Sequence, residues 1–148
     1  MSSFGTVPLQ TIWAMLKDCA EGHVRFETDH HWRIDFGGRT YPSLPKGQHG
    51  TRRPEIEIGH VKAMVNHLMI AAACANRHIP QLRIKSSDTV LPDVRVLRDS
   101  ALAVSCEMQG RPFTVHPHLI RPASEVRRRG DQGKLVIPES LARELRLV

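Results

Sequence analysis

The change of hydrophobic period after Gly22 is the feature that most constrains the fold of this chain. Before Gly22, apolar residues recur at helical spacing, at Leu9, Ile12, Trp13 and Leu16. This spacing predicts an amphipathic helix that begins near Pro8. After Gly22 the period becomes two, which predicts strands whose side chains alternate between a buried face and a solvent face.

The segment of period two predicts two successive strands. Val24 and Phe26 are expected to face the core from the first strand, because apolar and polar residues alternate there. The second strand is expected to bury one set of side chains, Trp32, Ile34 and Phe36, and to expose the alternate set, His31, Arg33 and Asp35.

A third strand is predicted over residues 39–44. Gly37 and Gly38 tolerate positive φ, so they predict a tight hairpin that leads into it. Pro42 cannot donate a ladder hydrogen bond, which favours an edge position for this strand. Residues 45–55 hold two glycines, two prolines and three Lys or Arg side chains and are expected to form a basic loop.

A second helix is predicted over residues 58–69, where Val61, Met64, Val65 and Leu68 repeat the helical spacing. The order of elements is therefore αβββα. Two helices can cover one face of a three-stranded antiparallel sheet, so we expect a sandwich-like α+β domain over residues 1–72.

The second part of the chain, residues 73–148, reads as a β-rich extension or domain that ends in a helix. Strands are predicted over residues 94–98, 101–109 and 111–116, with Gly110 at a turn. Arg127, Arg128 and Arg129 follow in a basic run that either extends a nucleic-acid surface or forms a linker. The apolar run at 135–137 and the residues after Pro138 predict a last strand and a terminal helix.

Charge and composition favour a nucleic-acid partner. Lys and Arg number 21 against 15 Asp and Glu, a net charge of +6 that attracts polyanions. The longest apolar run, residues 68–75, is shorter than the roughly 18 residues that a membrane span requires. The N-terminal residues lack a secretory pattern, so we expect a cytoplasmic protein that does not contact a membrane.

The three cysteines, Cys19, Cys74 and Cys106, are far apart and odd in number. This pattern fits neither a disulfide framework nor a paired metal motif, and all three are predicted to be buried small apolar residues. His116 and His118 share a face if both are extended, but no further ligand lies at metal spacing. We therefore predict neither a metal site nor a cofactor.

The candidate chemistry lies on the second strand and the basic loop. Cleavage of RNA needs a group that titrates near neutral pH and cations that stabilise charge on the phosphate. His31 supplies an imidazole and Arg33 a cation. Because they are two residues apart on a strand, both side chains point to the same solvent face. Flanking phosphates are expected on the loop side chains, which are Lys46, His49, Arg52 and Arg53.

Each of these side chains also has an ordinary structural interpretation. His31 can be a solvent-exposed strand histidine without a role. Arg33 and Asp35 can form a surface ion pair worth at most about 1 kcal/mol. The loop cations can simply be solvated.

Residues 9–70 resemble the HicA-type toxins of bacterial toxin–antitoxin pairs. The resemblance lies in the short first helix, the HHWRIDF strand, the FGGR hairpin, the strand that ends in Pro45 and the EIEIGHVKAMVNHLMI helix. It implies a double-stranded-RNA-binding-like fold and an mRNA interferase, a hydrolase that cuts RNA. The residue that matches the catalytic histidine of the family is His31.

The chain departs from the HicA pattern in two respects. Thr28 or Asp29 stands where family members usually carry Gly, and the family is commonly about half as long as this chain. The resemblance implies RNA and a cognate antitoxin-like protein as partners, and we expect no small-molecule ligand. The alternative is that the same fold binds nucleic acid or a protein without catalysis, so the assignment as an endoribonuclease stays open.

Overall fold

The computed structural model describes residues 5–47 and 52–148 and divides the chain into two compact units. The first unit is Met1–Lys85 and the second is Ser86–Val148. Both contain helices and antiparallel strands, which confirms the α+β class. The sequence placed the division near residue 72, whereas helix α3, Ala72–His78, packs against helix α1, Leu9–Cys19, and so belongs to the first unit.

The described residues of the first unit form five strands and three helices. Besides α1 and α3 they are β1 (Thr6–Pro8), β2 (Val24–Glu27), β3 (His31–Phe36), β4 (Arg39–Pro45), β5 (Glu55–Glu57) and α2 (Ile58–His67). A single 3-10 turn, Pro80–Leu82, follows α3 among the described residues of this unit.

Strands β2, β3 and β4 form one antiparallel sheet with β3 in the centre. Gly37 and Gly38 have φ angles of 62° and 78°, which is the conformation that a two-residue hairpin requires and that glycine adopts without strain. Strand β4 lies at the edge, as predicted. The β3–β4 register shifts between Trp32 and Ile34, so Pro42 lies in a bulge, where its missing N–H is tolerated.

The core of the first unit lies between the inner face of this sheet and the helices. Ile34 of β3 and Leu44 of β4 are fully buried, and α2 packs against β4. Trp13 of α1 meets Trp32 of β3 edge to face, with ring centroids 5.1 Å apart. The helices bury the stripes that the sequence predicted, which include Ile12, Leu16, Val61, Met64 and Val65.

A two-stranded antiparallel ladder of β1 and β5 was not predicted from the sequence. It pairs the three residues that precede α1 with the three that precede α2, with Val7 opposite Ile56. The N–H of Leu9 donates to the carbonyl of Pro54 and that of Ile58 donates to Gly5, each at 2.9 Å. The ladder therefore fixes the N-terminal ends of both helices beside each other.

The prediction for the cysteines is wrong for two of the three. Cys19, the last residue of α1, forms a disulfide with Cys74 of α3 across 55 residues of sequence. Both are half-buried, and only Cys106 is a buried free thiol. The sequence could not show this pairing, because spacing along the chain does not reveal that α3 folds back onto the end of α1.

The second unit is a four-stranded antiparallel sheet with a terminal helix. Its elements are β6 (Asp88–Asp99), β7 (Val104–Met108), β8 (Arg111–Val115), β9 (Gln132–Pro138) and α4 (Glu139–Glu144), and a 3-10 turn lies at Pro117–Leu119. The strand order is β8-β7-β6-β9, so the longest strand, β6, lies inside the sheet. The predicted turn at Gly110 joins β7 to β8.

The basic run of this unit forms an ordered turn. Asp131 Oδ2 accepts the backbone N–H groups of Arg127 and Arg128, each at 2.9 Å, and Asp99 Oδ1 accepts that of Arg129 at 2.9 Å. These bonds from Arg128 and Arg127 lower the pKa of the Asp131 carboxyl. The alternative of a linker is therefore wrong for these residues.

All helices of the described residues are short. The longest, α1, has 11 residues, and α2 has 10. No helix within residues 5–47 and 52–148 combines the length and the apolar character that crossing a bilayer demands.

Candidate nucleic-acid interface

The outer face of the three-stranded sheet presents the side chains that the sequence singled out on β3. His31 is exposed and Arg33 and Asp35 are half-buried, whereas Ile34 and Phe36 are buried on the opposite face. The alternation predicted for this strand is confirmed for His31, Ile34 and Phe36, whereas Trp32 is half-buried like Arg33 and Asp35.

A tight hairpin fixes the backbone of His31. Thr28 and His31 close a two-residue loop: the N–H of Thr28 donates to the His31 carbonyl at 2.9 Å, and Thr28 Oγ1 accepts the His31 N–H at 3.1 Å. The Thr28 hydroxyl also donates to the His31 carbonyl at 2.8 Å. Within the described part of the chain the imidazole of His31 has no hydrogen bond or ion pair. The backbone of His31 is therefore held in place while its ring is open to solvent.

Arg33 is engaged by its neighbours on the sheet. Its Nη2 lies 3.2 Å from Asp35 Oδ2, and its guanidinium lies 4.0 Å from the centroid of the Phe26 ring. Its Nε is buried without a hydrogen-bond partner in the described residues. Thr40 donates to the other oxygen of Asp35 at 2.9 Å. The structure therefore contains the Arg33–Asp35 ion pair that was the alternative interpretation.

The prediction for β2 is wrong about which side chains face the helices, and all four residues of this strand are exposed. Phe26 pairs with Arg33 and Arg25 with Ile34, so Phe26 lies on the outer face and Arg25 on the helix side. Phe26 is 41% exposed, and Arg25 lies 4.5 Å above the Trp13 ring. The two-residue loop sets this register, and it overrides the apolar pattern of a short edge strand.

The loop cations divide into two places. Lys46 Nζ pairs with Glu27 Oε2 at 2.9 Å, next to the end of β4. Arg52 and Arg53 are exposed and line a groove of about 810 Å³. His49 lies outside the described residues.

The groove lies at the N-terminal end of α1. Besides the two arginines it is lined by Pro8, Leu9, Gln10, Thr11, Trp13, Pro54 and Glu55. The N–H of Leu9 already donates to Pro54, but no side chain of the described residues caps the first turn of α1. The remaining N–H groups and the dipole of the helix start favour anions. The groove thus combines two exposed guanidinium groups with a positive helix end and an aromatic wall.

The structure does not gather all predicted residues into one site. Arg33 lies on the outer face with His31, Lys46 is paired with a carboxylate, and Arg52 and Arg53 lie in the groove. No hydrogen bond or ion pair in the described part of the chain joins the His31 ring to any of these cations.

Two features of the interface were missed by sequence reasoning. One is the exposed Phe26 beside Arg33, which the length of the loop between Glu27 and Trp32 could have revealed. The other is the position of Arg52 and Arg53 at the start of α1. It depends on the β1–β5 ladder, and strands of three residues give too weak a pattern to detect.

His23, unlike the exposed His31, has a structural role in the first unit. His23 Nδ1 lies 2.9 Å from the carbonyl of Ala20 at the end of α1. Burial, together with the charge of Arg25, lowers the pKa of His23, although the bond to Ala20 acts in the opposite direction. His23 thus stabilises the end of α1 and is not a candidate site residue.

A comparison with known protein families, with functionally characterised proteins and with solved structures finds no match to this chain.

Proposed function

We propose that the first unit is a HicA-like, RNA-directed domain that acts as an endoribonuclease, with His31 as its general acid or base. The observation that carries the proposal is the exposed His31 imidazole on the outer face of the central strand. Apart from the three-residue strands β1 and β5, the order α1, β2, β3, β4, α2 agrees with the αβββα, double-stranded-RNA-binding-like arrangement that the resemblance implies.

The proposed reaction needs no group beyond the chain and its RNA. The ribose 2′-hydroxyl attacks the adjacent phosphorus, its proton passes to a base, and the bond to the 5′-oxygen of the next nucleotide breaks. That leaving oxygen takes up a proton, and a cyclic phosphate remains. An imidazole can perform either proton transfer near neutral pH, which typically contributes 10²- to 10⁴-fold in rate.

Binding of the RNA is assigned to two surfaces of the same unit. Arg52 and Arg53 suit phosphates, because guanidinium groups and a helix N-terminus both favour anions. Phe26 offers an exposed ring on which a base can stack, an interaction worth about 1–3 kcal/mol per base in single-stranded nucleic-acid binders.

The second candidate function is binding of nucleic acid without cleavage. It is favoured by the ion pairs of Arg33 with Asp35 and of Lys46 with Glu27, because each places a carboxylate against a cation that catalysis would use. In that case His31 is an ordinary exposed histidine, and a partner protein or the second unit supplies the regulation.

One experiment separates the two candidates. The full chain is incubated with end-labelled single-stranded RNA in EDTA, and the products are resolved on denaturing and native gels. Shortened RNA supports the endoribonuclease. A mobility shift of intact RNA, with affinity that falls steeply as salt rises, supports the binding module. The absence of both cleavage and binding at low salt contradicts an RNA-directed role.

A pair of variants locates the binding surface. Replacing Arg52 and Arg53 by Gln is expected to reduce the salt slope of RNA binding by about 0.7 for each phosphate that the variant no longer neutralises. The matched control replaces Arg98 and Arg111, two exposed arginines on the strands of the second unit, and removes the same charge. An equal reduction in both variants would show that net charge and not the groove sets the affinity.

The proposal extends to a neutralising partner and to a cytoplasmic location, because a toxin of this kind acts on cellular RNA. We expect that expression of the chain slows bacterial growth and that a small protein encoded beside it restores growth. Growth that is unaffected by expression would contradict the toxin assignment, while an RNA-binding role would survive.

A further inference from the structure

Four side chains that can bind a metal ion converge where the end of α1 meets α3. Asp18, Cys19, Cys74 and His78 each offer one ligand atom, and these atoms all lie within 4.8 Å of one another. His78 Nε2 lies 2.8 Å from Asp18 Oδ2, and Cys74 Sγ lies 3.7 Å from the same oxygen. The cluster lies at the opposite end of α1 from the groove that Arg52 and Arg53 line.

The secondary structure explains this convergence. Cys74 and His78 are four residues apart, so they share one face of α3. Asp18 and Cys19 belong to the last turn of α1, which packs against α3 within the same unit. The ligand atoms thus come from two packed helices and not from a loop. Both cysteines and the histidine are half-buried and Asp18 is exposed, which leaves the cluster accessible to an ion.

The composition of the cluster matches zinc. Two thiolates, an imidazole and a carboxylate are all common Zn²⁺ ligands, and four ligands complete a tetrahedral shell. Bonds of about 2.3 Å to sulfur and about 2.0 Å to nitrogen or oxygen place tetrahedral ligand atoms about 3.3–3.8 Å apart. The Asp18 oxygen lies 2.8 Å from the His78 nitrogen and 3.7 Å from the Cys74 sulfur, and no two of the ligand atoms are more than 4.8 Å apart, so these separations are close to the tetrahedral ones.

The two sulfur atoms cannot serve as ligands while they are bonded to each other. The disulfide must first be reduced, after which each sulfur can deprotonate and the pair can separate around a metal ion. A site of this composition is therefore governed by the redox state of its two cysteines.

We propose that Asp18, Cys19, Cys74 and His78 form a Zn²⁺ site in the reduced protein, and that this site and the Cys19–Cys74 disulfide are alternative links between α1 and α3. To convert the disulfide into the metal site, two low-molecular-weight thiols transfer two electrons and two protons to the Cys19–Cys74 bond. The disulfide becomes two cysteine thiols, and the reductant becomes its own disulfide. Binding of Zn²⁺ then releases the two thiol protons and replaces the bond between His78 and Asp18 with bonds to the metal.

This inference departs from the expectation that the chain holds no metal, and it does not depend on the RNA-directed role. It also accounts for a disulfide in a chain whose sequence favours the cytoplasm. Disulfides are rare in the reducing cytosol. In that compartment the metal would join the two helices in place of the disulfide.

The test uses the full chain in two redox states. Protein reduced with a thiol and freed of it anaerobically is titrated with Zn²⁺ against a chromophoric chelator, beside the oxidised protein. We expect one tightly bound Zn²⁺ per reduced chain and none per oxidised chain. Co²⁺ is expected to give a sulfur-to-metal charge-transfer band in the reduced protein alone. Equal binding in both states, or no binding in the reduced state, overturns the proposal.

Variants identify the ligands. Cys74→Ser and His78→Ala are each expected to weaken Zn²⁺ binding at least about 100-fold. Loss of a residue that only hydrogen-bonds to a ligand already costs up to about 100-fold in affinity, and loss of a ligand itself should cost at least as much. His60→Ala is the matched control, because His60 is an exposed histidine on α2. An equal loss in this control contradicts the assignment.

A measurement on the wild-type chain avoids the risk that a ligand variant fails to fold. In the reduced protein, Zn²⁺ is expected to protect Cys19 and Cys74 from alkylation, with their modified peptides identified by mass spectrometry. Unchanged alkylation of both cysteines at saturating Zn²⁺ refutes the site.

Discussion

Removal of the Cys19–Cys74 disulfide is expected to destabilise the first unit strongly. The bridge closes a loop across 55 residues, so it restricts the unfolded chain over most of the unit. For a loop of that length the chain-entropy relation lowers the entropy of the unfolded chain by about 14 cal/mol/K, which stabilises the folded unit by about 4 kcal/mol at 25 °C. The double variant Cys19→Ser, Cys74→Ser loses this contribution together with the covalent link between α1 and α3.

Tryptophan fluorescence during guanidinium chloride unfolding measures this loss. Trp13 and Trp32 are the only tryptophans of the sequence and both belong to the first unit, so the signal reports that unit. A slope of about 2–3 kcal/mol/M for a unit of this size converts about 4 kcal/mol into a midpoint shift of about 1–2 M. All samples contain a chelator, so that bound metal does not contribute.

The matched control is the wild-type chain reduced in the presence of the chelator. It is expected to unfold at the midpoint of the double variant, because both lack the same bond. Two results would refute the reasoning: an unchanged midpoint in the double variant, or a reduced wild type that stays as stable as the oxidised protein.

Three further predictions concern burial and protonation. Ile34→Ala is expected to cost about 2–5 kcal/mol because Ile34 is fully buried, whereas Val24→Ala on the outer face costs about 1 kcal/mol or less. Equal losses in fluorescence-detected unfolding would contradict the placement of Ile34 in the core and of Val24 on the outer face. Burial raises the pKa of the Cys106 thiol from 9.0 to about 11, so its thiolate fraction at pH 8 is about 100-fold lower. Alkylation of the native reduced protein should therefore spare Cys106, and rapid modification without unfolding would contradict its burial. The lowered pKa of Asp131 contributes stability above its ordinary value of 3.8, and this is lost as the pH falls through the folded pKa. Asp131→Asn should thus lower the melting temperature at pH 7 but not at strongly acidic pH. The same loss of melting temperature at both pH values would show that the charge of Asp131 is not its cause.

The elements with a strong internal pattern could be predicted from the sequence. The stripe of α1, the alternation of β3 and the Gly37–Gly38 hairpin each depend on residues close together in the chain, and each is present in the structure. Burial of α1 and of β3 also follows, because a continuous apolar face must be covered.

The features that could not be predicted from the sequence depend on contacts between residues that are farther apart in the chain. The β1–β5 ladder pairs strands of three residues, which are too short to show a period. The disulfide depends on the path of α3, and the face that β2 turns towards the helices depends on the length of one hairpin loop. The sequence placed His31 correctly on β3 and offered the Arg33–Asp35 ion pair as an alternative, because these residues are close together in the chain. It did not foresee that Lys46 pairs with Glu27, which lies 19 residues away.

The most direct test of the proposed function is the rate at which purified chains shorten labelled RNA in EDTA. Wild type, His31→Ala and His30→Ala are compared, since His30 is a neighbouring exposed histidine in the hairpin loop. We expect wild type and His30→Ala to cleave at similar rates and His31→Ala to be at least about 100-fold slower. Equal rates for wild type and His31→Ala, or RNA left intact by the wild type, would contradict the role of His31.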